Sequence, residues 1–168
     1  MVVREAAIRA QLAAAVQRVL SVMGAEVQSG FEDDFQSYGR CFVQFANAPV
    51  LIVALVRSEP MLADLFQKYT PAYTRLQALE TNGALISVAM AVQNLLLSAT
   101  TQGLGACVQT GPLIAADGFD KVLSVPDGWN ILCLVTVGYP DEDPAVVRKK
   151  SVDQILIQPF TGDTGEVQ

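Results

Sequence analysis

Apolar residues recur at helical spacing through residues 4–23 (Ile8, Leu12, Ala15, Val16, Val19, Leu20, Met23) and run into Gly24, a frequent C-terminal stop. A first helix is therefore predicted within residues 1–24. Residues 31–45 mix acids and aromatics in a way that suits a second helix, weakened by Gly39. The run 48–57, APVLIVALVR, is apolar and rich in β-branched residues, and it reads as a core strand. Residues 61–69 read as a short helix ending ahead of Pro71, because the position before a proline is pushed out of the helical region.

The longest periodic segment is 82–102, where Leu85, Ile86, Val88, Met90, Val92, Leu95, Leu96 and Leu97 point in nearly every direction around the axis. That pattern predicts a central helix buried on most sides. Its one polar line, Ser87, Asn94, Ser98 and Thr101, suits either bonds to its own backbone or a position beside a ligand or a two-fold axis. Gly103-Leu104-Gly105 stops this helix, and a strand over 104–109 and a helix over 116–123 follow. The turn Pro126-Asp127-Gly128 then feeds an apolar run at 131–137, inside a core strand placed at 130–140 and covered on both faces. After the basic triplet Arg148, Lys149, Lys150, residues 152–160 set Ile155, Ile157 and Phe160 among Gln154 and Gln158, a spacing suited to strand addition. No internal repeat interrupts this order.

At 168 residues the chain is one domain of ordinary size. Its 51% hydrophobic and 17% charged residues, against a usual charged share of about 25%, exclude disorder. They also leave too little charge to cover a monomer's surface, so a homodimer is expected. With 11 basic and 17 acidic residues the net charge is −6, the wrong sign for nucleic acid or an anionic membrane surface. Residues 84–99 are broken by Ser87, Gln93, Asn94 and Ser98 and lack basic flanks, and the N-terminus lacks the pattern of a secretory signal, so a soluble cytoplasmic protein is expected. Cys41, Cys107 and Cys133 are expected as buried free thiols, in keeping with a reducing compartment.

Histidine is absent, which removes Ser-His and Cys-His catalysis and the commonest metal ligand. No phosphate loop, dinucleotide fingerprint or metal-ligand spacing is present. Any redox chemistry would have to come from a cofactor.

The run from Ser87 through Gln93-Asn94-Leu95-Leu96-Leu97 to Gly103-Leu104-Gly105 resembles the central helix and glycine turn of the nitroreductase-like flavin enzymes. Asp117-Gly118-Phe119, the turn at Pro126, Val137-Gly138-Tyr139-Pro140 and the basic cluster follow in that family's order, and Ala48-Pro49-Val50-Leu51-Ile52-Val53 is similar to its first long core strand. The resemblance implies an α+β three-layer sandwich: a mostly antiparallel central sheet flanked by helices, in an intertwined homodimer with FMN at the interface and residues 152–168 extending onto the partner. It also implies hydride transfer from NAD(P)H through FMN to a nitroaromatic, quinone or similar small-molecule acceptor, with no catalytic acid or base and no metal.

By the same resemblance the Asp117-Gly118 backbone would meet the flavin ring, while Arg148 and Lys150 would face the phosphate. From the residues alone, Asp117 also reads as a helix-capping acid and the basic cluster as a solvated turn. The family's usual Arg-rich segment and Pro-Ser-x-x-Asn turn are unmatched. Met1-Val2-Val3-Arg4 resembles the strand that follows them, so any phosphate contact is expected to fall on the basic cluster. The alternative is a binding or interaction module of the same fold, without catalysis.

Overall fold

Two valines open the computed structural model, which describes residues 1–57, 59–141 and 148–156. They form β1 (Val2–Val3), followed by α1 (Ala6–Gly24), α2 (Glu32–Cys41), β2 (Val50–Arg57), α3 (Pro71–Thr101), β3 (Gly105–Gln109), α4 (Ala116–Leu123), β4 (Trp129–Gly138) and α5 (Val152–Ile155). Short 3-10 turns occupy Gln44–Asn47, Ala63–Leu65 and Gly111–Ala115. The strands form one sheet in the order β1-β2-β4-β3, and every neighbouring pair is antiparallel.

Alternation along the strands sends side chains to two different layers. Leu51, Val53 and Leu134 pack with Leu12, Val16 and Phe119, which seats α1 and α4 on one face. Ile52, Ala54, Cys133 and Val135 meet Val88, Val92 and Leu95 of α3 on the other. A bulge lies between them, because Ala54 pairs with Cys133 while Leu55 pairs with Ile131. The skipped Leu132 joins Cys133 on the α3 side. The expected α+β three-layer sandwich is therefore the observed one.

Several boundaries differ from the sequence reading. The first helix starts only at Ala6, because Val2 and Val3 pair with Ile52 and Leu51 and the Met1 ammonium donates to the Val53 carbonyl at 2.8 Å. Residues 61–69 form no α-helix. Tyr69 takes a left-handed φ of 68°, Thr70 caps the next helix by accepting from the Tyr73 amide, and Pro71 occupies its first turn. Proline thus begins α3 here, which suits a residue with preset φ and no amide hydrogen. The helix expected at 82–102 is correspondingly longer.

Burial of that helix on most sides is not met within the chain. Only Val92 and Ala99 of α3 are buried, whereas Leu79, Ile86, Met90 and Leu97 are exposed. By length and composition α3 could cross a membrane, yet one flank of it lies against the sheet. Within its polar line, the Ser87 hydroxyl donates to the Gly83 carbonyl, that of Thr101 donates to the Ser98 carbonyl, and Ser98 Oγ accepts from Gln102 Nε2. Of the cysteines only Cys133 is buried, while Cys41 and Cys107 are exposed, a correction to the expected burial of all three. Residues 152–155 are helical rather than extended, since Ser151 and Gln154 form a capping box. Ile157, Phe160 and the rest of the expected extension lie outside the described residues.

Candidate cofactor site

β3 is an edge strand, and its last residue carries the least settled group of the fold. Gln109 pairs through its backbone with Leu134, but its side-chain oxygen Oε1 is buried with no hydrogen-bond partner. It is the one such side-chain atom among the described residues. Leaving an amide oxygen buried and unpaired costs about 1–3 kcal/mol.

The chain beyond Gln109 is held tightly. The ring of Phe42 fills the space that a Cβ on Gly111 would need, and Pro112 is buried as the backbone turns toward α4. Asp117 sits in the first turn of α4, where a carboxylate suits the positive end of a helix, and it is exposed. Gly118 faces inward, and a Cβ there would meet the Ala15 methyl of α1 at 3.2 Å. Close approach of α4 to α1 therefore explains this glycine. Arg148, Lys149 and Lys150 are exposed ahead of α5. No hydrogen bond or ion pair joins Asp117 or Gly118 to that basic cluster among the described residues.

At the opposite end of β3 a cleft of 420 Å³ opens between Asn47, Pro49, Gly105, Cys107, Thr136 and Tyr139. Its floor is fixed by the Thr136 hydroxyl, which donates to the Cys107 carbonyl at 3.3 Å. No group of His, Cys, Asp and Glu with the makings of a metal site occurs among the described residues. The sequence reading passed over Gln109. Its only signal there was a polar residue closing an apolar strand before Thr-Gly-Pro, which is common at strand ends.

The exposed cations Arg148, Lys149 and Lys150 carry charge of the sign that the phosphate of a flavin mononucleotide would need.

The sequence profile of the Nitroreductase family matches residues 1–139. A 4-nitrobenzoate reductase of Nocardioides sp. (strain LMS-CY) is 28% identical over 109 residues, which are 65% of this chain and 36% of that protein. The chain thus covers little more than a third of that relative. Among solved structures, a BluB-like flavoprotein from Clostridium difficile 630 superposes with a TM-score of 0.78 at 21% identity, covering 95% of this chain and 78% of the other. An iodotyrosine deiodinase bound to FMN and 3-iodo-L-tyrosine gives 0.60 at 19%, over 96% and 74%. An NADPH:FMN oxidoreductase from Vibrio harveyi complexed with NAD+ gives 0.55 at 19%, over 100% and 58%. At such identities these structures share the fold.

Proposed function

Since the chain belongs to the nitroreductase family, we propose that it is a flavin-dependent oxidoreductase, carrying hydride from NAD(P)H through FMN to a nitroaromatic, quinone or similar small acceptor. The observation that carries this reading is the extent of the family match, which spans all four described strands and α1 to α4. When bound, FMN supplies the redox chemistry, since acid–base side chains move protons and not hydride.

The protein's part is to bind and orient. Arg148 and Lys150 meet the phosphate, and the first turn of α4, with Asp117 and Gly118, lies toward the ring. The working unit is a cytoplasmic homodimer, because the exposed stripe Leu79, Ile86, Met90 and Leu97 on α3 calls for a cover that the chain does not itself supply.

The test is the visible spectrum of the purified protein after addition of FMN and desalting, followed by anaerobic NADH or NADPH. A retained band near about 450 nm that bleaches with one of the two is expected. A protein left colourless would favour the binding module of the same fold.

A further inference from the structure

We propose that the groove between α1 and α2 is a binding site for a small amphipathic anion, a carboxylate on an apolar body, which pairs with the guanidinium of Arg40. The site does not rest on the flavin reading, and none of its lining residues is among those assigned to the flavin.

The two helices build it from matching spacings. On α1, Gln17, Ser21 and Gly24 follow one another at steps of three or four, and on α2 Glu32, Gln36, Gly39 and Arg40 line the groove with the same helical spacing, so each row lies on one face of its helix. Glycine lets the rows approach. A Cβ on Gly39 would meet the Leu20 side chain at 3.3 Å, and one on Gly24 would meet the Phe35 ring at 3.5 Å. Val27 and Val43 add to the apolar lining, and the space between the helices is 490 Å³. Pockets for small molecules run from about 300 to 1,000 Å³.

Charge decides the occupant. The Glu32 carboxylate already accepts from the Gly30 amide at 2.8 Å, whereas the Arg40 guanidinium has no hydrogen bond or ion pair among the described residues. The charge left without a partner beside the apolar walls is therefore positive. Eight residues of helix separate the two positions by about 12 Å, beyond the screening length of about 8 Å at physiological salt, so the acid barely disturbs an anion at Arg40. A carboxylate matches the guanidinium fork with two parallel bonds. An apolar body behind it covers Leu20, Phe35 and Val43, which the two helices leave half-buried.

The test is calorimetric titration of the full chain with 1-naphthoate and with 1-naphthylmethanol, which has the same rings and no charge. The parent should bind the carboxylate about tenfold more tightly than the alcohol. Arg40→Gln should remove that preference and leave affinity for the alcohol unchanged. Ser21→Leu, which fills the groove from an exposed helical position, should weaken both ligands about tenfold or more. Gln36→Leu does the same from the facing helix, should the first variant lose its helical circular dichroism.

A parent that binds neither probe overturns the site. So does a preference for the carboxylate that survives in Arg40→Gln, or a filled groove that binds both probes as the parent does. Competition between FMN and 1-naphthoate would put the probe in the flavin's place and overturn it too. Affinity for 1-naphthoate that falls as protein concentration rises would mean that a second copy occupies the groove, and is equally fatal.

Discussion

The Cβ that Gly118 lacks would lie 3.2 Å from the Cβ of Ala15. Ala15 is itself buried, and a methyl group has no alternative rotamer, so any side chain at 118 must be accommodated by moving α4 away from α1. This single contact explains why the helix carries glycine at a position where alanine would be favoured by about 1 kcal/mol on propensity alone.

Gly118→Val should therefore destabilise the protein without flavin by about 1–3 kcal/mol through overpacking. Urea unfolding provides the measurement, and Ala15→Gly in the same chain should recover part of the loss. If the valine variant unfolds like the parent, α4 is not seated on α1 as described.

Arg9 is the one buried charged residue among those described, and it meets carbonyls instead of a carboxylate. Its Nη1 donates to Arg4 at 2.7 Å and to Pro49 at 3.2 Å, and its Nε donates to Ala46 at 3.3 Å, tying α1 to the turn that starts β2. Arg9→Leu should cost about 2–4 kcal/mol, because three carbonyls lose a charged donor together. Arg9→Lys should cost less, keeping a charge but not the fork. Equal stability of all three proteins in urea would refute the tie.

Burial raises the Cys133 thiol above its ordinary pKa, because the thiolate is disfavoured away from water. The folded form then holds its proton more tightly than the unfolded chain. Its contribution to stability is complete below the unfolded thiol's pKa and declines as pH rises through the folded value. Cys133→Ala should flatten that alkaline decline. In thiol labelling of the native protein, Cys41 and Cys107 should react readily and Cys133 only after unfolding.

The exposed apolar stripe of α3 repeats at intervals of seven, from Leu79 to Ile86 and from Met90 to Leu97. That spacing suits a seam against another helix. Ile86→Glu with Met90→Glu should convert the expected dimer to a monomer in sedimentation at micromolar concentration while far-ultraviolet circular dichroism stays unchanged. A double variant that remains dimeric would move the interface to another face.

For the phosphate, Arg148→Glu with Lys150→Glu should bring FMN affinity down to that of riboflavin, leaving riboflavin itself almost unaffected. The two ligands differ only in the phosphate, so damage to the fold cancels in their ratio. Preference for FMN surviving in the variant would place the phosphate elsewhere.

Much of the architecture was legible in the sequence. The helix at 116–123 appears at the bounds read from its pattern, and the apolar runs at 48–57 and 131–137 became the two central strands. Such elements declare themselves because a strand covered on both faces must be apolar throughout, and a short amphipathic helix must show one face to its core. The resemblance carried by Ser87–Gly105 and Gly138-Tyr139 likewise points to the family whose profile matches residues 1–139. Pro71 was misread because the same residue can end one helix or begin another, and the choice depended on Thr70 as a cap.

What the sequence determined by itself was which positions are apolar; which of them are buried, and against what, was decided by tertiary structure. Periodicity marked α3 as apolar all round, but only the fold showed that Val88, Val92 and Leu95 face the chain's own sheet while Ile86 and Met90 are left open. The contact of Gly118 with Ala15 and the burial of the Gln109 oxygen are likewise visible only in the fold. The physical reason is the same in each case. Local pattern reports the preference of a residue for burial or exposure, whereas packing distance and hydrogen-bond satisfaction belong to pairs of groups that the sequence keeps far apart and only folding brings together.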